Sequence, residues 1–460
     1  MSSVFWFRKD LRLQDNEALA HALEYAHKST DNTVYAVFTV DLEQYNQLEG
    51  IRQHSLTEGL KALDSSIQGH LNVFQAGTHL QVAEVLIRAC AESNSDVVFA
   101  MELFDPVGVE TQVEVAKLLQ AKGLELKLIG SAYAVKPGTV AKPDGTNYRV
   151  YTPFYKAWVQ LFSIEPIRLP ETSNNWGNLK DTTGIPKPAK ISPIKVIAGE
   201  AFALRTFGRF KKRALDDYDE ARNRADLSGT SHLSHALAFG EIHPRTLLAQ
   251  LGDSSAHEVF RKEIAWREFY ADVLFHYPHT LNDYYEPRFK KLRYDTGKTA
   301  QERFEAWTKG ETGYPMVDAG MRQLLAEGWM HNRVRMIVAS FLVKDLHLEW
   351  TWGAAHFEAH LSDFDPASNS HGWQWTAGCG TDASPYYRIF NPILQGLKFD
   401  PNGDYVRKYI PELRHMQGSD VHEPWENFEG YLNGYPLRIV DHTEERNESL
   451  ARLEELKALG

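Results

Sequence analysis

In the first third of the chain, short β-branched and aromatic runs alternate with longer segments of helical periodicity. The apolar runs are SVFWF, TVYAVFTVD, NVFQAG, DVVFAME and ELKLIG. Between them lie DNEALAHALEYAH, RQHSLTEGLKALDSSI, HLQVAEVLIRACAES and VETQVEVAKLLQAKG, whose apolar residues recur at helical spacing. Regular alternation of buried strands with helices predicts a doubly wound parallel sheet over residues 1–130.

The pattern changes at about residue 131. Residues 131–197 are rich in Pro and Gly, as in SAYAVKPGTVAKPDG and GIPKPAKISPIKV, and predict a long linker. Over residues 198–460 the periodicity is helical almost to the end. The predicted fold class is therefore α/β plus all-α, with an N-terminal parallel-sheet domain, a long linker and a C-terminal helical domain.

Composition and charge restrict the function. The chain has 460 residues, of which 43% are hydrophobic and 24% charged, and a formal net charge of −11 at pH 7. A nucleic-acid site would therefore have to be a local basic patch. Cys90 and Cys379 fit neither a disulfide framework nor a zinc spacing, so no metal site is predicted. The N-terminus becomes charged too early for a signal peptide, and no apolar run approaches the length of about 18 residues that a membrane span needs. A cytoplasmic protein without a membrane partner is expected.

Two glycine-containing segments suggest ligand contacts. GCGTDA (378–383) fits the dinucleotide pattern G-x-G-x-x-A by letter, but no predicted strand precedes it, so a tight turn is the better interpretation. GTSHLSHALAFGEIHPR (229–245) leads from Gly, Thr and Ser into a predicted helix. Such a helix start either holds a phosphate or is an ordinary N-cap.

Two helical segments have faces of unusual composition. EIAWREFY places four residues on one face: Glu263, Trp266, Arg267 and Tyr270. NRVRM places three on one face: Asn332, Arg335 and Met336. Taken singly, Met336 fits core packing and Arg335 a structural ion pair. Carboxylate, indole, amide and guanidinium groups together are typical of a ligand-binding wall.

The segment NSHGWQWTAGCGTDASPYYRIFNP (369–392) is aromatic yet polar, unlike a plain core helix. Together with FWFRKDLRLQDN, GTSHLS, WREFY, TGYPMVDAGMRQL, GWMHNRVRM and SFLVKDL, it resembles the cryptochrome/photolyase family, most closely the class I cyclobutane pyrimidine dimer photolyases. These motifs occur in order over nearly the whole chain. The resemblance implies light-driven repair of cyclobutane pyrimidine dimers in UV-damaged DNA, by electron transfer from photoexcited reduced FAD to a flipped-out dimer.

The resemblance implies FAD in the helical domain. The positions that match contacts to its phosphates and ribose are Tyr218, Thr230, Ser231, Leu233 and Ser234. Those that match contacts around its isoalloxazine and adenine are Asn332, Arg335, Asp363, Asp365 and Asn369. The amide of Asn369 would pair with flavin N5 in more than one protonation state. Arg335 and Asp363 would form a buried ion pair, which would also lock the fold.

The resemblance also implies a lesion pocket and DNA contacts. The residues that match the pocket are Glu263, Trp266, Asn332, Met336 and Trp375. The two indoles would provide flat walls for the flipped bases, and Glu263 and Asn332 would bind their polar edges. The arginines that match DNA contacts are Arg222, Arg267, Arg333 and Arg388. For a single arginine, the alternative is a solvated surface charge.

In the family, tryptophans relay electrons from the surface to the flavin. The resemblance assigns the inner two positions to Trp373 and Trp350, but the outer position falls at Tyr294 or Gly297, where a Trp is expected. Trp307 matches a different family tryptophan.

The resemblance also leaves room for a second, antenna chromophore. Gly108 and Asp283 replace an acid and a lysine that accompany methenyl-folate, which favours a deazaflavin antenna, or none, over a folate.

Three alternatives remain open from the sequence. A cryptochrome-like blue-light sensor would share the fold, but sensors often lose lesion-pocket residues and gain long C-terminal tails. A (6-4) photolyase would need a pair of active-site histidines, whereas the matching wall here contains Asn332 and Met336. A helical flavoprotein of unrelated redox function would not account for the lesion-pocket residues. A monomer is expected.

Overall fold

The computed structural model describes residues 2–28, 31–170, 175–382 and 387–459. These form two compact units. The first comprises Met1–Arg213 and Ser231–Pro278, and the second comprises Ala214–Thr230 and His279–Gly460. Residues 1, 29–30, 171–174, 383–386 and 460, which belong to the predicted segments 1–130, 131–197, 198–460 and 369–392, lie outside the described residues. The domain boundaries at residues 130 and 197 stay a prediction.

A parallel sheet forms the centre of the first unit. Its strands are β1 (Ser3–Phe7), β2 (Thr33–Val40), β3 (Asn72–Gln75), β4 (Val97–Met101) and β5 (Glu125–Ile129). Their order is β3-β2-β1-β4-β5 and all neighbours are parallel. The central strand β1 is buried throughout, with Phe5 paired to Ala36 on one side and Phe99 on the other. Burial on both faces explains why β1 and β4 are apolar runs without alternation, whereas β5 is partly exposed and alternates as ELKLI.

Five helices accompany the sheet. They are α1 (Glu17–His27), α2 (Leu42–Gln47), α3 (Gly50–Ser66), α4 (His79–Ser93) and α5 (Pro106–Gln120). Periodicity predicts four of them, but α2 is too short for a helical period to show. It begins because the Asp41 carboxylate accepts from the backbone N–H groups of Glu43 and Gln44, at 2.9 and 3.1 Å.

The stretch predicted as a linker contains regular structure. It includes helix α6 (Tyr151–Trp158) and the two-residue strand β6 (Asn175–Trp176), and helix α7 (Glu200–Arg213) follows it. Strand β6 pairs in parallel with Thr33 and Val34 at the start of β2, whereas β3 pairs with β2 from Val37 onward. Part of the Pro- and Gly-rich stretch therefore extends the sheet.

The rest of the chain is helical, as predicted. Its helices are α8 (Tyr218–Ala221), α9 (Ser234–Ala238), α10 (Pro244–Leu248), α11 (Ser255–His276), α12 (Gly297–Lys309), α13 (Pro315–Glu327), α14 (Asn332–Lys344), α15 (Trp350–His360), α16 (Pro366–Ala377), α17 (Pro392–Phe399), α18 (Asp404–Tyr409) and α19 (His442–Ala458). Helices α9 to α11 belong to the first unit, and α8 and α12 to α19 to the second. In the described part of the chain, no strand follows β6. None of the described helices is both long and apolar enough to span a membrane.

Close helix packing forms the core of the second unit. Helix α14 packs against α13 and α16, and α16 also packs against α15. Gly320 lies where α13 meets α14, and a Cβ atom there would be 2.4 Å from Val334 Cγ1 and 3.0 Å from Val338 Cγ1. The contact therefore requires a glycine, because both valine side chains are completely buried.

We expect Gly320→Ala to destabilise the second unit by about 1–3 kcal/mol, because the added methyl group overpacks the α13–α14 contact. The matched control is Gly208→Ala in α7, where a Cβ would meet nothing within 4 Å. That change should stabilise its helix by about 0.5–1 kcal/mol. Urea unfolding of both variants measures the difference, and equal stability of Gly320→Ala and the unmodified chain would contradict this account.

Candidate functional site

Helix α14 begins within the predicted site. His331 caps it, with Nδ1 accepting from the Arg333 backbone N–H at 3.2 Å, so Asn332 is its first residue. Asn332 is exposed, and Arg335 and Met336 follow on the same face, both half-buried. The structure thus places three of the predicted site residues on one helical surface.

Arg335 forms the predicted ion pair with Asp363. Its Nη2 donates to Asp363 Oδ2 at 2.8 Å, and its Nε donates to the backbone oxygen of Met330, also at 2.8 Å. Asp363 is only 5% exposed, and its Oδ1 has no hydrogen-bond partner among the described residues. A buried carboxylate oxygen without a donor is costly, so this atom is suited to receive an N–H or O–H from a bound group.

Helix α16 carries the next predicted residues. Asp365 caps it, with Oδ1 accepting from the Ser368 backbone N–H at 2.8 Å, and Pro366 occupies its first turn. One turn later, the Asn369 side-chain amide donates to the Ala354 backbone oxygen on α15 at 3.1 Å. This bond fixes the plane of the Asn369 amide, whose carbonyl oxygen remains available as an acceptor.

The two inner relay tryptophans are buried where α15 meets α16. Trp350 and Trp373 are 1% and 2% exposed. Gly353 lies one turn after Trp350, and a Cβ at Gly353 would be 2.1 Å from Cη2 of Trp373. Glycine at this position therefore lets the Trp373 indole lie directly against the α15 backbone. Neither indole N–H has an acceptor among the described residues.

Polar residues that the sequence analysis missed hold a neighbouring segment against α16. Gln374 Nε2 donates to the backbone oxygens of Thr280 and Asp283 at 2.9 and 3.2 Å, and its Oε1 accepts from the Tyr285 N–H at 2.7 Å. Ser370 Oγ donates to Thr280 O at 2.5 Å. Gln374 is completely buried. A glutamine between two tryptophans in WQW was the only signal of this role, and it does not reveal the partner segment.

Trp375 lies on a different face of α16 from Trp373 and is half-buried. Its Nε1 donates to the backbone oxygen of Asp382 at 3.1 Å. Gly378 ends the helix with a φ of 86°. A Cβ at Gly380 would be 2.8 Å from the Gln374 backbone. Both glycines therefore form the predicted tight turn, and a helix, not a strand, precedes them. Ala383, which completed the letter match to a dinucleotide motif, lies outside the described residues.

In the first unit, α11 carries the predicted residues Glu263, Trp266 and Arg267, all half-buried. The Trp266 indole stacks on the Tyr151 ring, with centroids 3.7 Å apart and planes at 8°. Stacking fixes the plane of the indole before any ligand binds. Arg267 donates from Nη1 to the Ala132 backbone oxygen at 3.0 Å. This arginine therefore has a structural role within its own unit, and its DNA contact stays a prediction.

The predicted phosphate-binding helix start differs in the structure. Helix α9 has five residues and begins at Ser234, after Leu233, which provides no side-chain cap. The alternative of an ordinary Ser or Thr N-cap is therefore wrong for this helix. Thr230 belongs to the second unit, and Ser231, Leu233 and Ser234 belong to the first. The helix begins at Ser234, within the predicted range 230–234, and Gly229, Thr230 and Ser231 precede it.

The remaining predicted arginines and Tyr218 lie in the second unit. Arg333 donates to Asn223 Oδ1 at 2.6 Å and its guanidinium lies 4.7 Å from the Phe399 ring centre. The Arg222 guanidinium lies 5.7 Å from the ring of Tyr218, which is buried at the start of α8. Arg388 is exposed. Among these three arginines, Arg388 has the most open position for a phosphate.

Two family models match successive parts of the chain. Residues 3–172 match the family described as DNA photolyase, and residues 260–455 match the FAD binding domain of DNA photolyase. The deoxyribodipyrimidine photo-lyase of Agrobacterium fabrum is 37% identical over 97% of this chain and 96% of that protein. The chain belongs to the DNA photolyase family.

Solved structures of family members have the same fold. A class III photolyase from Agrobacterium tumefaciens aligns with a TM-score of 0.88 and 37% identity, over 99% of this chain and 98% of that one. A photolyase from Sulfolobus tokodaii, described as containing two FAD molecules, aligns with a TM-score of 0.86 and 27% identity, over 99% of this chain and 100% of that one. The α/β plus all-α fold class is thereby confirmed.

The second unit of this photolyase-family chain fits an FAD ring system. The unpartnered Oδ1 of Asp363 offers an acceptor for an N–H or O–H of the cofactor, and Asn369 offers an amide whose plane is already fixed. The described residues contain no group of three or more His, Cys, Asp or Glu placed to hold a metal ion.

We expect Asp363→Ala to lower the FAD content of purified protein, because the change removes the free carboxylate oxygen and leaves Arg335 without its partner. Breaking a fully buried pair costs about 3–5 kcal/mol, and the loss here should be smaller because Arg335 is partly exposed. The measurement is flavin absorbance per protein, together with the unfolding temperature.

Glu412→Ala is the matched control. It removes the carboxylate that pairs with Arg322 at 2.8 Å in the same unit, and it should leave FAD content unchanged. Normal FAD content in Asp363→Ala would remove Asp363 from the cofactor site.

Proposed function

We propose that this chain repairs cyclobutane pyrimidine dimers in UV-damaged DNA, using light absorbed by reduced FAD. The observation that carries the proposal is the group formed by Arg335 on α14, Asp363 just before α16 and Asn369 on α16. It combines a buried carboxylate, one oxygen of which has no donor among the described residues, with a fixed amide on the helix that also holds the buried Trp373. When bound and reduced, FAD supplies on light absorption the electron that opens the dimer. Similarity to deoxyribodipyrimidine photo-lyases over nearly the whole chain supports this substrate.

The residues proposed to hold FAD form two groups, according to the part of the cofactor that they would contact. Those assigned to the ring system and adenine are Asn332, Arg335, Asp363, Asp365 and Asn369. Those assigned to the phosphates and ribose are Tyr218, Thr230, Ser231, Leu233 and Ser234. Arg335 sets the position of Asp363 through their ion pair. Asp365 acts through the backbone, because its carboxylate caps the helix that carries Asn369.

The dimer is proposed to contact Glu263, Trp266, Asn332, Met336 and Trp375. Trp266, already stacked on Tyr151, would present one flat apolar wall to a flipped base. Glu263 lies one turn before it on α11, so its carboxyl would bind a pyrimidine edge. As electron transfer makes the dimer negatively charged, hydrogen bonds to that edge strengthen, which stabilises the reacting state more than the bound substrate.

Several finer assignments belong to the same proposal. Arg222, Arg267, Arg333 and Arg388 are assigned to DNA phosphates. For the antenna chromophore, a deazaflavin, or none, is favoured over a methenyl-folate. The chain is expected to act as a cytoplasmic monomer, with domains at residues 1–130 and 198–460 joined by the linker. Its place in class I of the family stays a prediction.

We expect Trp266→Ala to weaken binding to dimer-containing DNA by about one to two decades, because stacking contributes about 1–3 kcal/mol per base. FAD content should not change. Glu263→Ala should lower repair yield more than affinity, because its stronger interaction is with the charged intermediate. The assay illuminates chemically reduced protein with DNA that carries one defined dimer, and measures binding separately in the dark.

The same assay distinguishes the alternatives. Repair of a (6-4) lesion, but not of the cyclobutane dimer, would overturn the substrate assignment. If flavin is bound and reduced but neither lesion is repaired, the chain is better described as a blue-light sensor.

We expect Asn369→Leu to shift the reduction potential of bound FAD, because the variant removes the amide proposed to pair with flavin N5. Spectroelectrochemical titration measures the potential. Ser368→Ala, one residue away on the same helix, is the control and should leave the potential unchanged. An unshifted potential in Asn369→Leu would exclude this role.

A further inference from the structure

A buried tyrosine, Tyr284, lies between Trp350, a predicted inner member of the electron relay, and Tyr294, a candidate for its outer position. The Tyr284 ring lies 5.9 Å from the Trp350 indole, at 87°. Its hydroxyl is 3.1 Å from the hydroxyl of Tyr294 and 2.8 Å from Oε1 of Glu349. Tyr284 is 4% exposed, whereas Tyr294 is half-buried. Tyr284 thus lies between a buried indole and a more accessible phenol.

Glu349 is free to act as the acceptor of the Tyr284 proton. It precedes Trp350 at the N-cap position of α15, but its side chain makes no capping hydrogen bond. A hydroxyl has one proton and a carboxylate only accepts, so the 2.8 Å bond directs the Tyr284 proton to Glu349. Burial, Tyr294 and Glu349 raise the pKa of the Tyr284 phenol, so the group is neutral in the resting protein and carries the proton that oxidation would release.

The tryptophans of this region have no comparable base. Among the described residues, the indole N–H groups of Trp350 and Trp373 have no acceptor. Trp307, whose ring lies 6.1 Å from that of Trp373, donates its N–H to the Val338 backbone oxygen, and an amide carbonyl is too weak a base to take a proton. An oxidised indole at any of these positions therefore keeps its proton, and its positive charge is free to move on.

We propose that Tyr284 donates an electron to oxidised Trp350 while Glu349 takes the phenolic proton. This inference rests on the proposed function for the presence of FAD. The oxidant is that FAD in its oxidised, light-excited form, which would take an electron from Trp373, and Trp350 would then refill Trp373. The electron then passes from Tyr284 to the Trp350 radical cation, and the proton passes from the Tyr284 hydroxyl to the Glu349 carboxylate. The products are neutral Trp350, a neutral tyrosyl radical and a protonated Glu349.

The positions of the reacting groups are fixed by buried contacts. Gln374 and Ser370 hold the backbone of residues 280–285, which carries Tyr284, against the helix that carries Trp373. Half-buried Tyr294 then donates an electron and its hydroxyl proton to the Tyr284 radical along their 3.1 Å hydrogen bond. A thiol reductant in solution donates an electron and a proton to the Tyr294 radical and becomes a thiyl radical, and Glu349 releases its proton to water. This route gives the relay an exit without a tryptophan at the outer position.

A second aromatic branch is the rival exit. From Trp307 the rings continue to Phe304, at 5.9 Å, and then to half-exposed Trp352, a further 5.2 Å away. Because the Trp307 N–H donates only to a backbone carbonyl, this branch would give a tryptophanyl signal and no transfer of a proton to Glu349.

The test uses full-length protein with oxidised FAD and a thiol, excited by blue light. Electron paramagnetic resonance and transient absorption distinguish tyrosyl from tryptophanyl radicals. The unmodified protein should give a tyrosyl radical whose formation slows in D₂O, and Tyr284→Phe should lose that radical. Glu349→Gln should slow tyrosyl formation by about a hundredfold, the lower end of what a positioned proton acceptor contributes.

Tyr435→Phe is the matched control. It removes a buried phenol that donates to Asp318 at 2.6 Å in the same unit, and it should keep the tyrosyl radical. FAD content and unfolding temperature are measured for every variant, so that radical yields are compared only per bound flavin in folded protein.

A tyrosyl radical that persists in Tyr284→Phe would overturn the proposal. So would an unmodified protein that gives only a tryptophanyl radical, removed by Trp307→Phe. Dimer repair by unmodified protein reduced beforehand with dithionite tests the proposed function without the relay. Failure of that repair would reject the proposed function alone, whereas the radical measurements judge the role of Tyr284.

Discussion

The contact between Gly353 and the Trp373 indole is the constraint on which the rest of the second unit depends. With no side chain at Gly353, α15 and α16 come close enough for the Asn369 amide to reach the Ala354 backbone oxygen. The same approach buries Trp350 and Trp373 together. The absence of a Cβ at Gly353 thus helps to position both the amide proposed to contact the flavin and the tryptophans proposed to supply electrons to it.

The buried polar atoms of this region divide into those that stabilise the fold and those left for a ligand or a reaction. Gln374 is fully bonded to backbone groups, as a buried amide should be. Asp363 uses one carboxylate oxygen for Arg335, and its other oxygen has no donor among the residues that the structure describes. The indole N–H groups of Trp350 and Trp373 have no acceptor in the part of the chain that the structure describes, which suits an electron carrier because an indole without a nearby base keeps its proton. Tyr284 differs because its hydroxyl faces Glu349.

Protein-wide charge plays little part in these local arrangements. The net charge of −11 gives no general attraction for DNA, and two of the arginines assigned to phosphates already have partners within their own units. Arg267 contacts a backbone oxygen and Arg333 contacts Asn223, whereas Arg388 is exposed. Base stacking and the positions of a few side chains therefore matter more to the proposed recognition than an extended basic surface.

The sequence by itself determined the features that depend on local periodicity and on motif. Alternation of apolar runs predicted the five main strands of the sheet, and helical spacing predicted the shared face of Asn332, Arg335 and Met336. It missed α2, whose six residues are too short to show a period, and it did not show that Leu233, which provides no side-chain cap, precedes α9.

Only the tertiary structure decided which distant groups meet. The bonds from Gln374 to residues 280–285 and from Tyr284 to Glu349 join positions 65 to 94 residues apart, and no local pattern encodes such pairings. Burial then decides their chemistry. Away from water, a polar atom without a partner costs free energy, and a hydrogen bond to a single proton acceptor is stronger.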